Sequence, residues 1–403
     1  MKKQIKKVFE KAIESLFTLS GMITGITILL ITLFLFSEGV GLFRSPAVEE
    51  GYSLYINEKN RARILTTPEI NKIFDGEITN WKQLGGDDKE IEILRIDDLF
   101  ALYSEEELGE DYSLLPQRIE ETVQRNAALL AFLPRKYVKQ KGSCLREIAT
   151  GNIKAADFFG GKEWVPTASP APLYGILPLV LGTLVVSLGA ILLALPLGLG
   201  VAICLSELVG RRTRKWFKFA IELLAGIPSV VYGFWGLVVL VPYVQRIFSL
   251  PVGETAFTGS LVLAIMALPT IISVAQDAMS NTPTAMREAS LALGATRWQT
   301  IYRVVIPYAK SGISAAVVLG VGRAMGETMA VLMVTGNAAI MPNDFFAPVR
   351  TIPASIAAEL GEVPVGSSHY QALFLLGAIL FLFTMLISIS AEIISKKQYK
   401  ATL

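Results

Sequence analysis

A membrane's hydrocarbon core is about 30 Å thick, and a helix rising about 1.5 Å per residue needs roughly 20 apolar residues to cross it. Runs of that kind recur through this sequence. The first extends from Leu16 to about Phe36, with no charge between Ser15 and Ser37. Five more follow: Tyr174 to about Ser206, then 223–244, 259–276, 313–335 and 370–389. Backbone groups in lipid must be satisfied within the segment, so the pattern predicts six transmembrane helices rather than strands of an open sheet. Pro196 marks a kink site in the second. Only 18% of the 403 residues are charged, where a soluble chain carries about a quarter, so the whole chain is not an ordinary water-soluble protein.

The apolar residues are unevenly placed. Residues 44–171 read as ordinary soluble sequence, so the expected domains are 1–43 (N-terminus and first helix), an insert at 44–172, and a five-helix core at 173–403. The first apolar run is longer than the 7–15 residues usual for a signal-peptide core, and no A-x-A-like site follows it. A retained helix is expected.

Basic residues in short loops set orientation. Seventeen lie on one side: five before the first run, five between the second and third (Arg211 to Lys218), four between the fourth and fifth, and three after the sixth. The opposite short loops hold only Arg246 and Arg350. Both termini are therefore expected in the cytoplasm and the insert outside. A domain as long as the insert does not count towards this balance.

Several function classes are excluded. One histidine (His369) and two cysteines (Cys144, Cys204) cannot build a zinc site, a disulfide framework or a histidine-based triad. No GxxxxGK[ST] phosphate loop occurs, so the chain does not hydrolyse nucleotide by that device. A net charge of +2 without basic–aromatic interleaving gives no reason to expect nucleic acid. No catalytic residue, cofactor or metal is assigned. Small residues at four-residue spacing, Ala190, Ala194 and Gly198, and Gly322 with Gly326, predict faces where helix backbones approach closely in lipid.

Two segments carry chemistry. The fifth run holds Arg323 and Glu327. A charge near mid-bilayer costs about 2.5–3.5 kcal/mol on insertion scales, so such residues face a cavity or a partner. Their i, i+4 spacing places both on one helix face. A structural ion pair is one reading. The other is a guanidinium fork presented to a passing oxyanion, with the glutamate orienting it. The second segment is the loop 281–309, punctuated as a helix–turn–helix. Thr282 is expected to cap a helix starting at Pro283, and Gly294 to end it. Thr296 and Gln299 have capping-box spacing for a second helix, bounded by Pro307. By itself this pattern also fits an amphipathic interfacial helix.

The order Glu288-Ala289-Ser290, then Gly294, then Val304-x-Ile306-Pro307 resembles the EAA loop of ABC-importer permeases. That resemblance implies a coupling helix, carried by Glu288, Ala289, Ser290, Gly294 and Pro307, that docks on an ATPase subunit. GRAMGETMAV (322–331), ELLAGIPSVVYGFWGL (222–237), YGILPLVLGTL (174–184) and SIAAELGE (355–362) are similar to phosphate ABC-importer permeases of the PstC type. The family implies an all-α polytopic fold of the type I (MetI-like) permease class, with an α/β extracytoplasmic insert as this chain's addition. It implies residence in the cell inner (plasma) membrane and a second homologous permease. It also implies two copies of an ATPase, an external phosphate-binding protein and inorganic phosphate as cargo. Arg323 and Glu327 match the family's intramembrane pair. The insert departs from the family. Its segment 67–95 resembles part of the periplasmic phosphate-binding protein, and 127–137 does so faintly. Where that protein has Ser-Gly-Thr after its arginine, Arg95 here is followed by Ile96-Asp97-Asp98, so no phosphate site is expected. The rival functions are an ion-coupled secondary carrier using Arg323 and Glu327, and a membrane sensor with an outer ligand domain.

Overall fold

The computed structural model describes residues 2–49, 51–62, 64–126, 128–138 and 145–400. Cys144 lies outside them. The chain divides into two compact units. One comprises the residues up to Gly39, Leu177–Pro364 and the chain from Ala372 on; the other comprises Val40–Ile176 with Val365–Gln371.

The membrane unit is helical. Its elements are α1 (Lys2–Val40), α2 (Leu177–Ile203), α3 (Arg211–Ala225), α4 (Ser229–Trp235), α5 (Ala256–Ser280), α6 (Thr284–Ala292), α7 (Lys310–Gly326), α8 (Met329–Val334), α9 (Ile352–Glu359) and α10 (Ser368–Lys400). α2 runs through Pro196 and ends in a π turn, Cys204–Leu208. α4 continues through another π turn into Val241–Phe248. Five stretches are long and apolar enough to cross a membrane: Ile13–Arg44, Leu177–Leu208, Ser229–Phe248, Ala256–Ser280 and Ser368–Ser390. A sixth span exists if Arg297–Tyr308 and Lys310–Gly326, bent by 71° at their junction, are taken as one.

Two of the expected spans are corrected. The third starts at Ser229 instead of Leu223, because Gly226-Ile227-Pro228 interrupts the helix and a proline disfavours helical backbone in the residue before it. The fifth is not one helix: α7 stops at Gly326 and α8 begins at Met329.

α5 is the most enclosed span, with 61% of its most apolar window buried, whereas that of α1 is 0% buried within the protein. Ala190, Ala194 and Gly198 are indeed buried, and a Cβ on Gly198 would sit 2.8 Å from a methyl of Ile271 on α5. The Gly322–Gly326 face is corrected. A Cβ at either would meet nothing within 4 Å, and it is Gly320 that α5 packs against.

The second unit holds a four-stranded mixed sheet. Its strands are β1 (Tyr52–Asn57), β2 (Glu92–Arg95), β3 (Leu129–Pro134) and β4 (Leu145–Glu147), in the order β2-β3-β1-β4. β3 runs antiparallel to β1 and parallel to β2. All six β3 residues are buried, because both faces of the sheet are covered. Leu54, Ile56, Leu130 and Phe132 pack with Ile70, Ile73 and Trp81 on one side. Tyr55, Leu129, Ala131 and Leu133 pack with Leu99, Leu115, Ile119 and Val123 on the other. The period-two alternation of strand side chains sorts them between these two cores.

Candidate functional site

Arg323 is half-buried on α7, and its Nη1 donates to the Thr270 hydroxyl of α5 at 3.1 Å. Thr270 follows Pro269, the proline inside α5. Glu327 does not share the arginine's helix face. It caps the C-terminus of α7 in extended conformation (φ −72°, ψ 130°), and no ion pair joins it to Arg323 among the described residues. Four-residue spacing brings side chains together only while the helix continues, and this one ends at Gly326. The glutamate thus sits at the joint between α7 and α8, half-buried. A cavity of about 520 Å³ adjoins that joint, lined by Gly326, Thr328, Pro353, Ile356, Leu360 and Leu380 among others. No charged side chain lines it, so in this conformation it offers an oxyanion no counter-charge.

The loop after α5 folds largely from its own sequence. Gly294 takes φ +87°, the left-handed conformation that ends α6 without a Cβ penalty. Thr296 accepts from the Gln299 N–H at 3.2 Å, and the Gln299 side chain accepts from the Thr296 N–H at 2.8 Å, closing the capping box. Thr282, however, is not the cap of α6. Pro283 holds that position, and the Thr282 hydroxyl is buried without a partner. The backbone N–H groups of Asn281 and Thr282 bond back to Asp277 and Met279 and finish α5, and the next helix starts at Thr284, one residue later than expected. The helical run after the turn ends at Tyr308, so Pro307 lies one residue short of the 71° bend.

No apolar residue of α6 is buried. Glu288 and Ala289 are exposed, as are Met286, Leu291 and Leu293, the last at 89%. The Ser290 and Thr300 hydroxyls hydrogen-bond at 3.0 Å, tying α6 to the next helix. The result is a short, small-faced helix with apolar side chains in solvent, suited to contact with another protein.

Three polar residues of this region went unmarked in the sequence. Thr270 holds Arg323. Arg287 donates to Glu207 in the π turn at 2.9 Å, and both side chains are largely buried. Arg287 counted in sequence only as a topological charge. Its one distinguishing mark was its position immediately before Glu288, and nothing local pointed to a glutamate 80 residues earlier.

Residues 194–399 match the family described as binding-protein-dependent transport system inner membrane component. The chain is 41% identical over 247 residues to the probable ABC transporter permease protein YqgH of Bacillus subtilis, covering 60% of this chain and 80% of that one. It is 42% identical over 270 residues to the phosphate transport system permease protein PstC of Mesorhizobium japonicum, covering 61% and 81%. Against PstC of Haemophilus influenzae it is 35% identical over 305 residues, covering 70% of this chain and 94% of the relative.

Proposed function

Because the chain belongs to the family of binding-protein-dependent transport system inner membrane components, a family of non-catalytic membrane-spanning subunits, we propose that it is the permease of an ATP-driven phosphate importer. The observation that carries this reading is the extent of the likeness to named phosphate permeases: 42% identity across 81% of one and 35% across 94% of another. In this reading the chain sits in the cell inner membrane with both termini in the cytoplasm and pairs with a second homologous permease. Two ATPase copies work from the cytoplasmic side, and an external binding protein delivers the anion.

α6 is the surface offered to the ATPase, with Glu288, Ala289 and Ser290 on it and Gly294 setting its end. Arg323 is the guanidinium that meets the anion. Its present partner is a neutral hydroxyl at 3.1 Å, so the cation is oriented without being neutralised, which suits transient binding of phosphate. Glu327 acts at the joint between α7 and α8, where a change in the bend would move it relative to Arg323.

The insert is a relative of the binding protein's fold that has lost the anion site. Arg95's guanidinium lies over the Phe74 ring at 5.3 Å, and its backbone N–H is taken by the Asp98 carboxylate at 2.7 Å. The helix starting at Ile96 therefore carries its own anion where an external one would bind.

The test is uptake of phosphate into vesicles holding the reconstituted assembly, with and without ATP. Uptake that requires ATP and is uncoupled by Glu288 or Gly294 substitution is expected. Uptake driven by an ion gradient with no ATPase present would refute the reading. Arg323→Lys keeps the charge but loses the planar fork, and is expected to cut uptake while leaving the protein inserted. Unchanged uptake in that variant would remove Arg323 from the pathway.

A further inference from the structure

α6 buries no apolar side chain, so apolar packing does not hold it in place. Its attachment is polar, and one side chain supplies most of it. Arg287 donates through Nη1 to the Thr282 carbonyl at 2.9 Å, and through Nη2 to the Met279 carbonyl and to Glu207 Oε1, both at 2.9 Å. The Arg287 and Glu207 side chains are only 20% and 10% exposed. Met279 belongs to the last turn of α5, while Glu207 belongs to the π turn Cys204–Leu208 that terminates α2. One guanidinium thus joins the exposed helix to the ends of two membrane spans. The other side-chain tie of α6, Ser290 to Thr300, stays within the loop.

The π turn is itself a junction. Arg214 of α3 donates to the Ser206 carbonyl, and the neighbouring Lys218 pairs with Asp277 of α5 at 3.2 Å. A π turn is a local irregularity of the helical ladder, of a kind frequent at functional sites. α2 then packs along α5, which packs along α7, the helix of Arg323.

We propose that Arg287 is a positioning residue that makes α6 and the cytoplasmic end of α2 move as one body. A push on α6 reaches the membrane spans through the Arg287–Glu207 pair and the π turn, and not only along the covalent chain. The physical reason is that separating a largely buried ion pair leaves an uncompensated charge on each side, so the two elements resist sliding apart. The planar fork spreads its donors over two nitrogens, Nη1 on the Thr282 carbonyl and Nη2 on the Met279 carbonyl and Glu207, where a lysine has a single nitrogen. This inference rests on the coupling role proposed for α6.

The experiment measures phosphate transported per ATP hydrolysed in the reconstituted assembly, together with co-purification of the ATPase. For Arg287→Gln and Glu207→Gln the ATPase is expected to stay bound and to keep hydrolysing ATP, while the ratio falls about fivefold or more. Arg287→Lys, which keeps the charge opposite Glu207 but has no second nitrogen for the Thr282 carbonyl, is expected to recover part of the ratio lost in Arg287→Gln. A wild-type ratio in Glu207→Gln, with ATPase bound, overturns the proposal. So does loss of the ATPase from the Gln variants, because the pair would then merely shape the docking surface. If the wild-type assembly itself shows no ATP-driven uptake, the coupling reading fails instead, and the two failures are told apart by that control.

Discussion

The cores of the two units are built from different residues. In the insert the largest fully buried side chains are Trp81 and Phe158, joined by Leu54, Ile56, Ile70 and Leu115. In the membrane unit the buried positions along α2 and α5 are mostly small: Ala190, Ala194, Gly198, Ala202, Gly259, Ser260, Ala264, Ala267 and Ala275. Many bulky residues there point outward, as in Leu188, Leu192 and the length of α1, although Leu263, Met266, Ile271 and Met279 of α5 are buried among the small ones. The solvent explains the inversion. In water, burying apolar area is the main driving force, at about 25 cal/mol per Å², so large side chains go inside. Lipid is as apolar as leucine and gives no such gain, so helices associate by close approach and dispersion, which small residues permit.

The largest effect that could break this contrast is expected from the insert. Trp81→Ala removes a fully buried indole and its 2.7 Å hydrogen bond to the Ala128 carbonyl, at a cost of about 3–5 kcal/mol. Denaturant-dependent proteolysis of the full-length protein within residues 44–172 measures it, and a loss below about 1 kcal/mol would mean that the insert is not organised by bulk. Next comes the reverse substitution in the membrane unit. Gly198→Leu drives a side chain into Ile271, a contact already at 2.8 Å for a Cβ alone, and overpacking of this kind costs about 1–3 kcal/mol. It reads out as a lower melting temperature in detergent. Leu29→Ala in α1, where the side chain is 59% exposed to the lipid region, is expected to change that temperature by an amount equivalent to less than about 0.5 kcal/mol. A large effect there would show that α1 is packed against another chain in the preparation. The smallest effect concerns water itself. Hydrogen bonds from Lys82 and Asn80 hold the Asp88 carboxyl below the usual aspartate range. Its folded pKa is depressed, so its contribution to stability is present above the ordinary aspartate value and is lost as pH falls through the folded one. The group is fully exposed, so an NMR titration should show the downward shift with little change in overall stability.

Local punctuation proved legible wherever the responsible atoms are neighbours in sequence. Gly294 ends α6 with positive φ, and Thr296 and Gln299 close their box, because each needs only residues within one turn. The same logic failed at Thr282, whose hydroxyl is buried without a partner while Pro283 stands at the N-cap. It failed again at Glu327, because a face drawn through Arg323 presumes a helix that Gly326 terminates. The near-uniform apolar run of β3 is ambiguous by periodicity alone, and becomes intelligible once helices are seen on both sides of the sheet.

What the amino-acid order decides without help is where lipid must begin and end. An unsatisfied peptide group in hydrocarbon is so costly that long apolar runs have few alternatives to helix. It also decides the family, through motifs spread over the membrane region. The partners of its charges were decided only by folding. Arg323 bonds Thr270 from 53 residues away, and Arg287 reaches Glu207 across 80. A charge takes whatever acceptor the packed helices bring to it; likewise the Ala190–Ala194–Gly198 spacing marks a face for close approach, but only the packed helices supply Ile271 of α5 as what Gly198 meets.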